Sequence, residues 1–477
     1  MSQPIIGWES TSPVPNHHQF NHFLHAENGR LFIDDFDLMQ AFELSQVPQS
    51  PLPSPLEIVY LPLIRQRIDF MRETFKQAIE ETGYEGVFHY AYASKANAAE
   101  EVIRTTLSAG AHHEMSSTFD VDIARLMVDR GLLPPERMVI CNGFKPRGSH
   151  YMANIIRLKR STHANVIPIV ENLNEIAPLT ASHLPFEVGL RQKSYGNHAS
   201  IYEMNAANSR FGLSIEDMFT AADMIEASPN LIPKMYHGMT GSQLLDEANF
   251  VDRLRPPMEI FARLCKKHPT LDIFNFGGGI PIPMTLDFDF DYKAFVVQLL
   301  TTMQEVCAAH GVNVPDIMGE FGRYTTAEHG VHIFKIAADK TNESKLPWYI
   351  IDGSIMSSFP DAWALGEHFI VLPLNHLDKP FQQVQLGGMT CDSDDVYPPK
   401  PSKSPLYLPV ETEDLYIGFF SIGAYQEMLG GVRGSKHCML PEAYELIIDK
   451  DATGHTLYEL IEGQDSAEVL RNLGYQP

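Results

Sequence analysis

The chain has 477 residues, of which 44% are hydrophobic and 20% charged, and its formal net charge is −24. This is a soluble globular composition with room for one large domain and a smaller one, and the acidic surplus excludes a nucleic-acid phosphate backbone as a natural partner. The five cysteines are widely spaced and include no Cys-x-x-Cys pair, so neither a disulfide framework nor a metal site is expected. The opening "MSQPIIGWES" has no basic stretch followed by an apolar one, so no secretory leader is expected. No apolar run reaches membrane-spanning length, and a reducing cytoplasm is the expected location.

Taken in chain order, "GRLFIDDF" at 29–36 reads as β structure, and "VPQSPLPSPL" at 47–56 is a proline-rich connection that cannot be regular helix. Between residues 87 and 322, eight short apolar stretches alternate with amphipathic helical patterns. The strand candidates are "GVFHYAYAS", "AHHEMS", "MVICNG", "VIPIVE", "FEVGLRQ", "KMYHGMTG", "DIFNFGGG" and "DIMGEFG". Such alternation predicts a parallel (β/α)8 barrel, an α/β fold, with an open doubly wound sheet as the competing arrangement. After about residue 330 short β-like pieces separated by Pro, Gly, Asn and Asp predict a second, mainly β domain. The expected division is therefore an N-terminal segment (1–57) joining the β domain, a barrel (58–330), and a C-terminal β domain (331–477).

A barrel gathers the polar residues that end its strands at one mouth. In order these are Lys95, Glu114, Asn142, Glu171, Arg191, His237, Gly277, Gly278 and Gly279, and Glu320. The glycine triplet lets backbone N–H groups approach an anion. Gly322 and Arg323 in "GEFGR" and Ser242 in "TGSQ" add donors on the same rim. A lysine beside a phosphate site suggests covalent attachment of pyridoxal phosphate. Partial burial would keep that amine nucleophilic, and Glu320 would hold the ring nitrogen protonated.

The motifs "YASKAN", "TGSQ", "SRFGLS", "FNFGGG", "GEFGRYTTAEHG", "TCDSDD" and "GAYQEML" resemble those of the fold-type III pyridoxal-phosphate-dependent decarboxylases of ornithine, arginine, lysine and diaminopimelate, in family order from about residue 56 to 435. "SFPDAW", "CNGFK" and "GAYQEMLG" are most similar to the biosynthetic arginine branch, whereas "YASKAN" is more similar to the diaminopimelate and ornithine branches. The resemblance implies that Lys95 carries the cofactor and Glu320 faces its ring nitrogen. It also implies that Ser242, Gly277 to Gly279, Gly322, Arg323 and Tyr425 take the phosphate, with Glu114 and Arg191 supporting the ring. Cys391 is similar to the cysteine that returns a proton to Cα, supplied across a homodimer interface. Asp352, Asp392 and Asp394 are the candidates for a distal cationic group on the substrate. One departure stands out: the position of the family's ring-stacking histidine holds Met239, and the nearby histidine is His237. Arginine is the first expected substrate; ornithine, lysine, a D-basic amino acid and meso-diaminopimelate are alternatives, ahead of a racemase or a non-catalytic regulatory homologue.

Overall fold

The computed structural model describes residues 3–44, 52–146, 148–161, 165–193, 209–341, 346–400, 402–434 and 436–476. Part of the proline-rich connection at 47–56 lies outside the described residues. The chain divides into two compact units: residues 65–281 with 290–325, and residues 1–64 with 282–289 and 326–477.

In the first unit all eight expected strands form, and they close into a parallel barrel. They are β1 (Phe88–Ala93), β2 (His112–Met115), β3 (Val139–Cys141), β4 (Val166–Val170), β5 (Phe186–Arg191), β6 (Leu231–His237), β7 (Ile273–Asn275) and β8 (Asp316–Phe321). Closure comes from β8 pairing in parallel with β1, Glu320 opposite Ala91. The open-sheet alternative is thereby excluded. Ile140, Ile167, Ile169, Met235, Ile273 and Met318 fill the interior, each at most 3% exposed. Side chains of this size contribute about 1.5–3 kcal/mol each when fully buried.

The intervening helices start and stop where local chemistry dictates. Ser117 and Asp120 form a reciprocal capping box on Thr118–Asp129. Gly311, at φ 67°, ends Tyr292–His310 in the left-handed conformation that glycine adopts without strain. Glu247–Lys267 runs through Pro256 and Pro257, a pair that pattern alone reads as a break.

The second unit is mainly β, as expected. Its central strand, Leu56–Tyr60, pairs antiparallel with Gly330–Thr341 on one side and parallel with Tyr444–Lys450 on the other. Leu56, Ile58 and Tyr60 alternate onto one face and pack with Val331, Ile333, Leu446 and Ile448. Glu57 points to the opposite face, in register between His332 and Glu445. "GRLFIDDF" does not enter this sheet. The Asn28-Gly29 turn, both residues at positive φ, folds Arg30–Ile33 back onto Leu24–Glu27. The result is a separate four-stranded sheet that shares the same apolar cluster.

Candidate active site

The barrel strands deliver polar residues to the C-terminal mouth, where Glu114, Asn142, Asn275 and Glu320 form one hydrogen-bonded set. Asn142, just past β3, donates from Nδ2 to Glu114 Oε1 at 2.8 Å and to Glu320 Oε2 at 2.9 Å. Asn275, the last residue of β7, donates to Glu320 Oε1 at 2.7 Å. His237 Nε2, ending β6, lies 3.6 Å from Glu320 Oε2. Two amide donors therefore fix the Glu320 carboxylate from both oxygens, and it is 8% exposed.

The electrostatics follow from crowding acids in a dry place. Burial, with repulsion from Glu320 next, pushes the Glu114 carboxyl up to about 7, and Lys95 opposes the rise. Burial brings His237 down to about 4 although Glu320 pulls the other way. Glu171, past β4, also feels burial most, yet Arg191 and then Lys145 hold its carboxyl below the usual range. Arg191 Nη1 meets Glu171 Oε1 at 3.0 Å, and the amides of Gly143 and Gly212 donate to the same carboxylate. Arg191 is thus engaged within the mouth, its guanidinium 4.9 Å from the Phe211 ring.

Lys95 follows β1 in the short turn Ser94–Ala96. Its side chain is exposed rather than partly buried, yet its charge acts on the buried Glu114 and His237. The strand ends at Ala93, and the lysine follows two residues later.

The glycines form a cradle in which side chains do not fit. A Cβ on Gly277 (φ 72°) would meet Met239 Sδ at 2.8 Å, one on Gly278 the Glu320 carbonyl oxygen at 3.0 Å, and one on Gly279 (φ 104°) the Gly241 oxygen at 2.7 Å. Met239 Sδ accepts from the Gly278 amide at 3.3 Å, so the methionine packs on the glycine turn. Gly322 is buried at the end of β8 and Arg323 opens the short helix Arg323–Thr326. Ser242 is exposed beyond β6. Within the mouth, Glu114 Oε2 and Asn142 Oδ1 are buried without a hydrogen-bond partner among the described residues. The backbone cradle, these two polar atoms and the fixed carboxylate of Glu320 fit pyridoxal phosphate: a phosphate on the glycine turn and a ring nitrogen toward Glu320.

The remaining candidates belong to the β unit. Tyr425 has φ 70°, an uncommon conformation for a bulky residue and one that clusters at functional positions. Cys391 is exposed with its Sγ 3.7 Å from Cys438 Sγ. Asp394 is exposed, 3.7 Å from Lys400. Asp392 accepts from the Asp394 amide at 2.9 Å. The acidic run is partly architectural: Asp395, 2% exposed, accepts from Thr390 Oγ1 at 2.6 Å and from the Met356 amide at 3.0 Å.

Asp352 accepts from the Lys335 amide at 3.0 Å and lines a cavity of about 200 Å³ with Glu57, Glu427, Glu442, His332 and Lys436. Burial raises the Asp352 carboxyl. Glu57 is held well above the usual carboxylate range by burial and then by Glu427, Glu445 and Glu442. Sequence reasoning finds Asp352 through its motif but misses Glu57, Glu442 and Asn275. Asn275 does sit two residues before the glycine triplet, whereas the two glutamates become neighbours only through the fold of the sheet.

Residues 68–327 match the pyridoxal binding domain of the pyridoxal-dependent decarboxylases. The chain is 22% identical to the biosynthetic arginine decarboxylase of Bacteroides thetaiotaomicron over 89% of this chain and 84% of that one. It is also 22% identical to that of Thermosynechococcus vestitus, over 93% and 85%. Among solved structures, the biosynthetic arginine decarboxylase of Campylobacter jejuni superposes with a TM-score of 0.80 at 21% identity, covering 96% of this chain and 91% of that one. Diaminopimelate decarboxylase from M. jannaschii follows at 0.78 and 22%, covering 95% and 98%. At these identities the structural likeness speaks for the fold.

Proposed function

We propose, for a chain that belongs to the pyridoxal-dependent decarboxylases, that it removes the α-carboxylate of a basic amino acid, arginine first, giving agmatine. Bound pyridoxal phosphate supplies an electron sink for the pair released when carbon dioxide departs. Lys95 would be its covalent attachment. Gly277 to Gly279, Gly322, Arg323, Ser242 and Tyr425 would take the phosphate, and Glu320, fixed by Asn142 and Asn275, would keep the ring nitrogen protonated. Glu114 and Arg191 would complete the polar surroundings. Cys391 Sγ then returns a proton to Cα. The reading includes a homodimer in the cytoplasm, with Cys391 serving the partner's barrel.

The observation that carries the basic substrate is the cavity around Asp352. Its carboxylates, Glu57, Asp352, Glu427 and Glu442, outnumber the single ammonium of Lys436, and a guanidinium or ammonium would relieve their mutual repulsion. The two relatives named as arginine decarboxylases support arginine. A second reading, meso-diaminopimelate, is supported by the similarity of "YASKAN" to the diaminopimelate and ornithine branches.

The test is to supply purified protein with pyridoxal phosphate and a panel of L- and D-basic amino acids plus meso-diaminopimelate, measuring carbon dioxide and the amine product. Agmatine from L-arginine is expected. Turnover of meso-diaminopimelate alone selects the second reading, and no carbon dioxide from any member defeats both.

A further inference from the structure

Three side chains from distant parts of the sequence meet on the surface of the β unit. Cys391 lies in the turn after Phe381–Gly387, whereas His437 and Cys438 belong to the short turn His437–Met439. Their ligand atoms, two thiol sulfurs and an imidazole nitrogen, all lie within 4.8 Å of one another. The two sulfurs are 3.7 Å apart. That is well beyond the roughly 2.05 Å of a disulfide. It is close to the edge of a zinc tetrahedron, where Zn–S bonds of about 2.3 Å set the sulfurs about 3.8 Å apart. Asp392 Oδ2 lies 3.9 Å from His437 Nε2, near enough to complete a four-coordinate set or to orient the imidazole.

The charge balance favours a cation too. Two thiolates 3.7 Å apart would repel each other. A divalent metal removes that repulsion and draws both sulfurs into bonds. Soft thiolate plus imidazole ligands select zinc over magnesium or calcium.

We propose that Cys391, His437 and Cys438 form a binding site for a thiophilic divalent cation, zinc first. On binding, each thiol releases its proton to solvent as its sulfur lone pair enters the metal bond, and neither sulfur changes oxidation state. The metal site rests on this geometry alone. Its consequence for turnover rests on the proton-donor reading of Cys391: a zinc-bound thiolate has no proton to give, so metal occupancy switches decarboxylation off.

The experiment uses reduced, thiol-free holoenzyme. Bound zinc is counted by equilibrium dialysis against a series of buffered free zinc concentrations, and cobalt serves as a spectroscopic stand-in. Wild type should take up one metal per chain and show cobalt–thiolate charge-transfer absorption. Cys438→Ser and His437→Gln should bind zinc roughly tenfold more weakly or worse and, without metal, decarboxylate as wild type does. Equal affinity in wild type and both variants overturns the site, as does cobalt absorption lacking thiolate character. A Cys391–Cys438 disulfide found by peptide mapping under these conditions also overturns it. If zinc binds with the expected dependence but turnover is unaffected, the metal site stands and Cys391 loses its place as proton donor.

Discussion

Glu114 is a carboxyl pinned by Asn142 beside a second carboxyl, Glu320, that Asn142 also holds. Its folded value of about 7 sits above the ordinary 4.5, so the folded chain keeps a proton that the unfolded chain releases between those values. Stability is therefore drawn down as pH rises through this window and the deficit is complete above it, a term on the order of 3 kcal/mol. Glu114→Gln keeps an acceptor for Asn142 without the charge. In cofactor-free protein, denaturant unfolding should find the variant more stable than wild type at about pH 8, with the advantage shrinking toward about pH 5. A pH-independent difference would show that repulsion within the mouth is not the cause. Asp352 tests the distal cation in the same way, because Asp352→Asn preserves an acceptor for the Lys335 amide and removes only charge. A loss of about 2–5 kcal/mol in transition-state binding of arginine is expected as a fall in kcat/KM, with the visible cofactor spectrum unchanged.

The β7–glycine turn shows how an element makes a site from backbone. Gly279→Ala places a methyl 2.7 Å from the Gly241 oxygen at φ 104°, and the strain should cost roughly 2 kcal/mol or more. Cofactor affinity should fall with stability, since the displaced backbone is the anion cradle. Gly311→Ala is the control: at φ 67° nothing lies within 4 Å of the added Cβ. It should cost only about 1 kcal/mol and leave cofactor affinity untouched. Equal cofactor affinities in the two variants would remove the cradle from phosphate binding. Much at this scale is legible in the sequence, because strands buried on both faces read as apolar runs and each run ends in the residue that reaches the mouth. What is not legible depends on pairing between distant strands. Glu57 gains His332 and Glu445 as neighbours only through sheet register. The thiol pair needs a close approach of residues 391 and 438 that no spacing announces. The exposure of Lys95 depends on a turn of three residues, below the resolution of any periodicity.

At the scale of the molecule, the candidate proton donor and the candidate cofactor lysine lie in different units of the chain, and the homodimer reading pairs them between subunits. Lys95→Ala and Cys391→Ala proteins, each inactive alone, should regain part of the activity when mixed, because one of the two sites in a heterodimer carries neither lesion. Proven subunit exchange without recovery would place both residues in the same subunit's site. The formal charge of −24 supplies a long-range field that favours approach of cationic substrates, so kcat/KM for arginine should decline with ionic strength more steeply than for a neutral analogue.

The strand Leu56–Tyr60 carries a consequence for how the protein comes off the ribosome. It is made early, but its partners Gly330–Thr341 and Tyr444–Lys450 follow only after the barrel sequence has been translated, a wait of tens of seconds at about 5–20 residues per second. Throughout that interval both edges of an apolar strand stand open, the condition under which chains capture one another. Nascent chains arrested before residue 444 should therefore depend on chaperones and aggregate when released. Arrest past Lys450 should relieve that dependence abruptly, a step that ribosome-bound solubility measurements would reveal.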